Sequence, residues 1–132
     1  MLRTKSIFDE ISKEDGLRIS VMSRHTLNDG VTPDSRIVPN VTYDLHVVEL
    51  APPAALVGLW YKNKINWENF TRTYLDFLNK PEPARAVREL AEIALRRDIT
   101  VLCVEPPGER CHRVILAQRC KEIQPALEIR HV

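Results

Sequence analysis

Ile99-Thr100-Val101-Leu102-Cys103-Val104-Glu105-Pro106-Pro107-Gly108-Glu109-Arg110-Cys111-His112-Arg113 is the stretch on which the fold class turns. Its first six residues are β-branched or apolar with almost no alternation, the pattern of a strand covered on both faces and therefore central in its sheet. Glu105 to Arg110, with two prolines and a glycine, breaks that strand. From Cys111 a helical periodicity takes over through Leu116, Cys120 and Ile123. Leu127 to Val132 reads as a last strand, and a strand–helix–strand crossover of this kind normally joins parallel strands.

Working outward, Leu2 to Phe8 and Leu17 to Met22 read as two further strands, with Asp15-Gly16 as a turn signal before the second. Residues 24–43 carry Asn28-Asp29-Gly30, Pro33 and Pro39 and few periodic apolar positions, the composition of a long loop, and loops of that length are often functional. Pro52-Pro53 opens a helix to about Asn63, and Asn66 caps a second in which Trp67, Phe70, Tyr74, Phe77 and Leu78 recur at helical spacing. After Pro81 and Pro83 a third helix places Val87, Leu90, Ala91, Ala94 and Leu95 on one stripe. The expected fold is α/β: a compact single domain over residues 1–132 with a mostly parallel central sheet flanked by helices.

Composition narrows the function classes. The 132 residues are 44% hydrophobic and 28% charged, which describes a globular chain. With 19 basic and 18 acidic side chains the formal net charge is +1, so no global field draws the chain to nucleic acid or to an anionic membrane, and anion binding has to be local. No apolar run approaches the roughly 20 residues of a membrane span, and Met1 to Lys5 lacks the apolar core of a signal peptide. A cytoplasmic location is expected. Three cysteines, Cys103, Cys111 and Cys120, are an odd set close in sequence, which suits reduced thiols better than a disulfide framework.

In an open α/β sheet ligands sit at the carboxyl ends of the strands, and Glu105 to Cys111 occupies that position. A helix starting near Cys111 lowers the pKa of a first-turn thiol and favours anions, so Cys111 reads as a thiolate nucleophile. His112 and Glu105 are candidate proton carriers, and Arg113 offers a planar fork for phosphate or carboxylate. If the first two strands run parallel to Ile99–Val104, their ends bring Ser23 and Arg24 to the same edge. The plain structural reading of the tripeptide is a small helix-start residue, a surface histidine and a salt-bridging arginine. Cys103 and Cys120 read as core residues.

Two other chemistries fit less well. Cys111 and Cys120 are nine positions apart, on opposite faces of one helix, and there is no C-x-x-C, so no metal site is expected. Loops that hold an oxyanion in phosphatases and sulfur transferases need Cys-x5-Arg, and from Cys103 that count lands on Glu109. No cofactor motif is present.

Four segments together resemble the family named domain of unknown function 488 over essentially the whole chain. They are Thr4-Lys5-Ser6-Ile7 with Asp9; Asp15-Gly16-Leu17-Arg18-Ile19 with Ser23-Arg24; Glu49-Leu50-Ala51-Pro52-Pro53 with Trp67-Glu68-Asn69-Phe70 and Tyr74; and Leu102-Cys103-Val104-Glu105 with Cys111-His112-Arg113. His25 to Gly30 stands where the family often carries an Arg-Pro-Arg-Gly-like stretch. The resemblance implies a cytosolic α/β domain with Glu105, Cys111, His112 and Arg113 at its site and supplies no established reaction. Lys5, Ser23 and Arg24 join Arg113 as expected substrate contacts. Two readings follow: a thiol-dependent enzyme acting on an anionic or phosphate-bearing small molecule or nucleotide, or a non-catalytic module that binds such a ligand, or a nucleic-acid phosphate, at the same residues. The near-zero net charge counts against a large nucleic-acid interface.

Overall fold

Strand β4 (Ile99–Cys103) has all five residues buried and lies at the centre of the sheet, as its unalternating apolar run requires. The computed structural model describes residues 1–106 and 108–132. Along the chain the elements are β1 (Leu2–Ser6), β2 (Leu17–Ser20), β3 (Leu45–His46), α1 (Ala54–Tyr61), α2 (Trp67–Leu78), α3 (Pro81–Ala94), β4, α4 (His112–Ile123) and β5 (Ile129–His131). The five strands form one sheet in the order β3-β2-β4-β1-β5, and every neighbouring pair is parallel. Ser6 stands opposite Cys103 and Ser20 opposite Leu102, so the carboxyl ends of β1, β4 and β2 share one edge.

The two faces of the sheet are covered differently. Ile99 and Val101 pack with Phe70, Tyr74 and Leu78 of α2, Val87, Leu90, Ala91 and Ala94 of α3, and Leu116, Ala117 and Cys120 of α4, so the helices form one layer. On the other face Thr100 donates to the Asp15 carbonyl, Arg3 to that of Glu14 and Arg18 to that of Thr42, so that face is roofed by the connections between strands. The helices are those expected, starting where prolines and a cap permit. Asn66 accepts from the Asn69 N–H to start α2, and Pro81 occupies the first turn of α3, where a missing N–H costs nothing.

Residues 24–43 have no helix or strand of their own, only isolated bridges joining Thr26 to Pro33 and Pro39 to Tyr43. At Gly16 the chain turns into β2 with φ +62°, and a Cβ there would lie 2.1 Å from the Asp98 carbonyl oxygen. Only glycine fits that approach. Below it, Asp15 is buried and receives both the Lys5 ammonium at 3.0 Å and the Arg18 guanidinium. Among the described residues no helix is long and apolar enough to cross a membrane.

Candidate active site

The shared carboxyl edge of β1, β4 and β2 opens into a cleft of about 1120 Å3 between the 24–36 part of the long loop and α1. Its inner wall carries Cys103, Glu105 and His112. Cys103 ends β4 and His112 opens α4; the intervening loop reverses the chain and returns residue 112 to residue 103. The site therefore grows from the strand–loop–helix unit that decides the fold.

His112 organises the cluster. Its Nε2 lies 2.6 Å from the Val21 carbonyl oxygen, which can only accept, so Nε2 carries a proton. The neutral ring then keeps its lone pair on Nδ1. That atom faces two sulfurs, Cys103 Sγ at 3.6 Å and Cys111 Sγ at 3.9 Å. Tyr74, whose hydroxyl donates to the Leu50 carbonyl, meets the imidazole edge-on at 5.7 Å and holds its plane. On the cleft side Cys103 Sγ lies 2.9 Å from Glu105 Oε2, and the Tyr61 hydroxyl donates to Glu105 Oε1 at 3.0 Å, tying α1 to the end of β4.

These contacts sort the charges. Burial by itself raises the Cys111 thiol, but the Cys103 S–H and the His112 ring beside it bring it down to about 6. Burial, with the Cys111 charge next to it, pushes Cys103 well up, so the pair holds one negative charge and one proton. His112 moves the other way: burial disfavours its cation, and the neighbouring Cys111 thiolate, the Val21 carbonyl and Glu105 together outweigh burial and raise it. Glu105 is also half-buried, which raises it, yet hydrogen bonding, that from the Cys103 S–H foremost, keeps it below the usual carboxyl value. The directions of these shifts favour a thiolate–imidazolium pair flanked by an ionised carboxylate.

The expected site residues fall into three groups. His112 and Glu105 line the cleft, and Ser23 and Arg24 stand on its opposite lip, where Arg24 donates to the Gly30 carbonyl at 3.0 Å. Cys111 belongs to the cluster but lies behind it: as N-cap of α4 it is 2% exposed, packed with Ile7, Met22 and Ile37. Cys103, read from sequence as core, is 3% exposed and belongs to the same cluster, and it also lines the inner wall of the cleft.

Lys5 and Arg113 are not on that wall. Side chains alternate along a strand, so Lys5, expected as a substrate contact, points to the loop-covered face, where Asp15 and the Glu10 carbonyl take its ammonium. Consecutive residues of a helix project about 100° apart, so Arg113 turns away from the direction of His112. It is 2% exposed, and one Nη2 contact reaches the Pro106 carbonyl at 3.3 Å. Among the described residues its buried Nε and Nη1 have no hydrogen-bond partner.

Two features escaped the sequence reading. Tyr61 had no distinguishing neighbour and falls on the last turn of α1. The convergence of Cys103, Cys111 and His112, whose ligand-type atoms lie within 4.8 Å of one another, bears on the expectation of no metal site. That expectation compared Cys111 with Cys120, which α4 does carry to its core-facing side, where burial pushes its thiol up to about 12. The signal that could have found the cluster was Cys-x-Glu at the end of a buried strand followed by Cys-His at a helix start.

A family model described as DUF488-N3a, the active DUF488-N3 subclade, matches residues 2–124. No curated protein and no solved structure matches the chain.

Proposed function

The chain belongs to the DUF488 family, and on that footing we propose that it is a thiol-dependent enzyme acting on an anionic, phosphate-bearing small molecule or nucleotide. The observation that carries this reading is the orientation of His112, whose Nε2 is committed to Val21 and whose Nδ1 faces both Cys103 and Cys111. An imidazole so held takes a thiol proton and keeps the resulting anion paired with its own cation.

Cys111 carries the negative charge at rest, and Cys103 is the sulfur on the cleft wall. A proton passing from Cys103 to Cys111 presents the thiolate to a bound electrophile, and His112, then protonated, returns a proton to the leaving group. Arg24, Lys62, Lys64 and Arg110 on the rim supply positive charge for the anionic part of the ligand, and Trp60 and Trp67 supply flat apolar surface.

Alkylation kinetics test the reading. With chelator-treated protein, iodoacetamide is expected to modify the Cys103–Cys111 pair with a pH midpoint near 6, the label being mapped by mass spectrometry. Cys120, buried and pushed up to about 12, stays unmodified and serves as an internal control. A midpoint at the ordinary thiol value of about 8.5, or no labelling before unfolding, would sink the proposal.

The second reading, a binding module without turnover, is favoured by the two unpartnered N–H groups of Arg113. Buried guanidinium hydrogens left without acceptors cost stability, and an anion that reached them would recover it. Phosphate is then expected to raise the melting temperature of the wild type and to leave that of Arg113→Met unchanged. Equal shifts in both proteins would show that the anion binds elsewhere.

A further inference from the structure

Three lone-pair-bearing atoms, two sulfurs and an imidazole nitrogen, converge behind the cleft wall, and a carboxylate oxygen lies beside one of the sulfurs. Protons now bridge them, from Cys103 to Glu105 and between the thiols and His112. We propose that the same four side chains form a binding site for one soft divalent cation of the zinc class, with Cys103 Sγ, Cys111 Sγ and His112 Nδ1 as ligands and Glu105 as the fourth.

The two sulfur–nitrogen spacings are those of a tetrahedral site. Zinc bonds of about 2.3 Å to sulfur and about 2.0–2.1 Å to nitrogen put those two ligand atoms about 3.6 Å apart. The sulfur-to-Nδ1 separations are 3.6 and 3.9 Å, and all three atoms lie within 4.8 Å of one another. Glu105 Oε2 sits 2.9 Å from Cys103 Sγ, nearer than two ligands of one metal, because a proton joins them. Replacing that proton by a cation frees the carboxylate to turn toward the fourth position.

The surroundings are those of a ligand set as well. A metal-binding histidine commonly donates its other ring N–H to a backbone carbonyl, which selects the tautomer and fixes the ring, and His112 does so to Val21. Glu105 is oriented by the Tyr61 hydroxyl in the same manner. Two thiolates and an imidazole select zinc, cobalt or copper over calcium or magnesium, whose ligands are oxygens. The carboxylate faces the cleft, so a cation enters from there and displaces protons to solvent.

The site uses the side chains of the proposed reaction without depending on turnover. In the metal-free chain they form the thiolate–imidazolium pair; in the loaded chain the sulfurs are capped. The rim and the deeper Arg113 are not part of it.

Cobalt(II) chloride added to the chelator-treated full-length chain is the test. One equivalent per chain is expected to give a thiolate-to-cobalt charge-transfer band and the visible bands of tetrahedral cobalt, both abolished by stoichiometric zinc. The double variant Cys103→Ser/Cys111→Ser is expected to lose the charge-transfer band. Glu105→Gln, altered at an exposed loop, should keep that band and bind at least about tenfold more weakly. Should the double variant fail to fold, the wild type suffices: one equivalent of zinc is expected to protect both cysteines from iodoacetamide.

Folded wild type without the charge-transfer band, or thiols labelled at the same rate with and without zinc, overturns the site. Labelling at a midpoint near 6 without cobalt binding removes only the cation. Cobalt binding with an ordinary thiol midpoint after chelation removes only the nucleophile.

Discussion

Replacing His112 by glutamine is expected to slow alkylation of the Cys103–Cys111 pair at pH 7 by at least about 30-fold. The amide nitrogen of glutamine can still donate to the Val21 carbonyl, so the helix start keeps its anchor. What disappears is the base at Nδ1. With the Cys111 thiol at about 6, roughly nine-tenths of the pair is ionised at pH 7; at an ordinary value of about 8.5 the fraction is about three in a hundred. Burial, then opposed only by the Cys103 S–H, works to lower that fraction further.

The sign over the pH range follows. Below pH 6 both rates fall with the pH and the fold-difference between wild type and variant is largest; it narrows between 6 and 8 as the wild-type thiolate saturates, and above 9 the two converge. Parallel curves across that range would mean that His112 is a packing residue. Unfolding measured alongside separates lost reactivity from lost fold.

Asp15→Ala is expected to cost about 3–5 kcal/mol of stability, read as a lower urea midpoint at unchanged slope. The carboxylate lies under the loop-covered face, receives Lys5 and Arg18 there, and also accepts the Ser12 N–H. Truncating it leaves two cations buried without a counter-charge. Burial raises the Asp15 carboxyl, and the hydrogen bonds from Ser12, Lys5 and Arg18 outweigh it and hold the pKa down. A carboxyl lowered on folding stabilises fully above its unfolded value of about 3.9, and that contribution fades as the pH falls through the folded value. The variant's deficit should therefore shrink in acid. Asp15→Asn, which keeps the shape and loses the charge, should fall between the two.

The fold was legible where the sequence spoke in long patterns. The unalternating run Ile99 to Val104 could only be a central strand, and the stripe Phe70, Tyr74, Leu78 behind an asparagine cap could only be a helix on a core. β3 was not legible, because two residues, one of them an exposed leucine, carry no period. What covers each face was hidden too, since a buried strand reads alike under helices and under loops.

At the site, adjacency in sequence misled in both directions. His112 and Arg113 are neighbours that a helix rotates apart, whereas Cys103 and His112 are nine positions apart and the loop brings them together. Lys5 stands beside Ser6, which reaches the cleft edge, and the strand pleat sends the lysine to the opposite face. The family motif holds the right residues without saying which of them touch.

The carboxylate beside the two sulfurs divides the cleft into ends of opposite polarity. At the bottom, Glu105 and the shared thiolate repel an anionic group, while the exposed arginines and lysines of the rim attract one. A molecule that fills this space is thereby aligned before it makes a single close contact, charged tail outward and uncharged end inward. Molecules charged at both ends are turned back at the threshold, and selectivity begins as a long-range sorting of orientation ahead of any fit of shape.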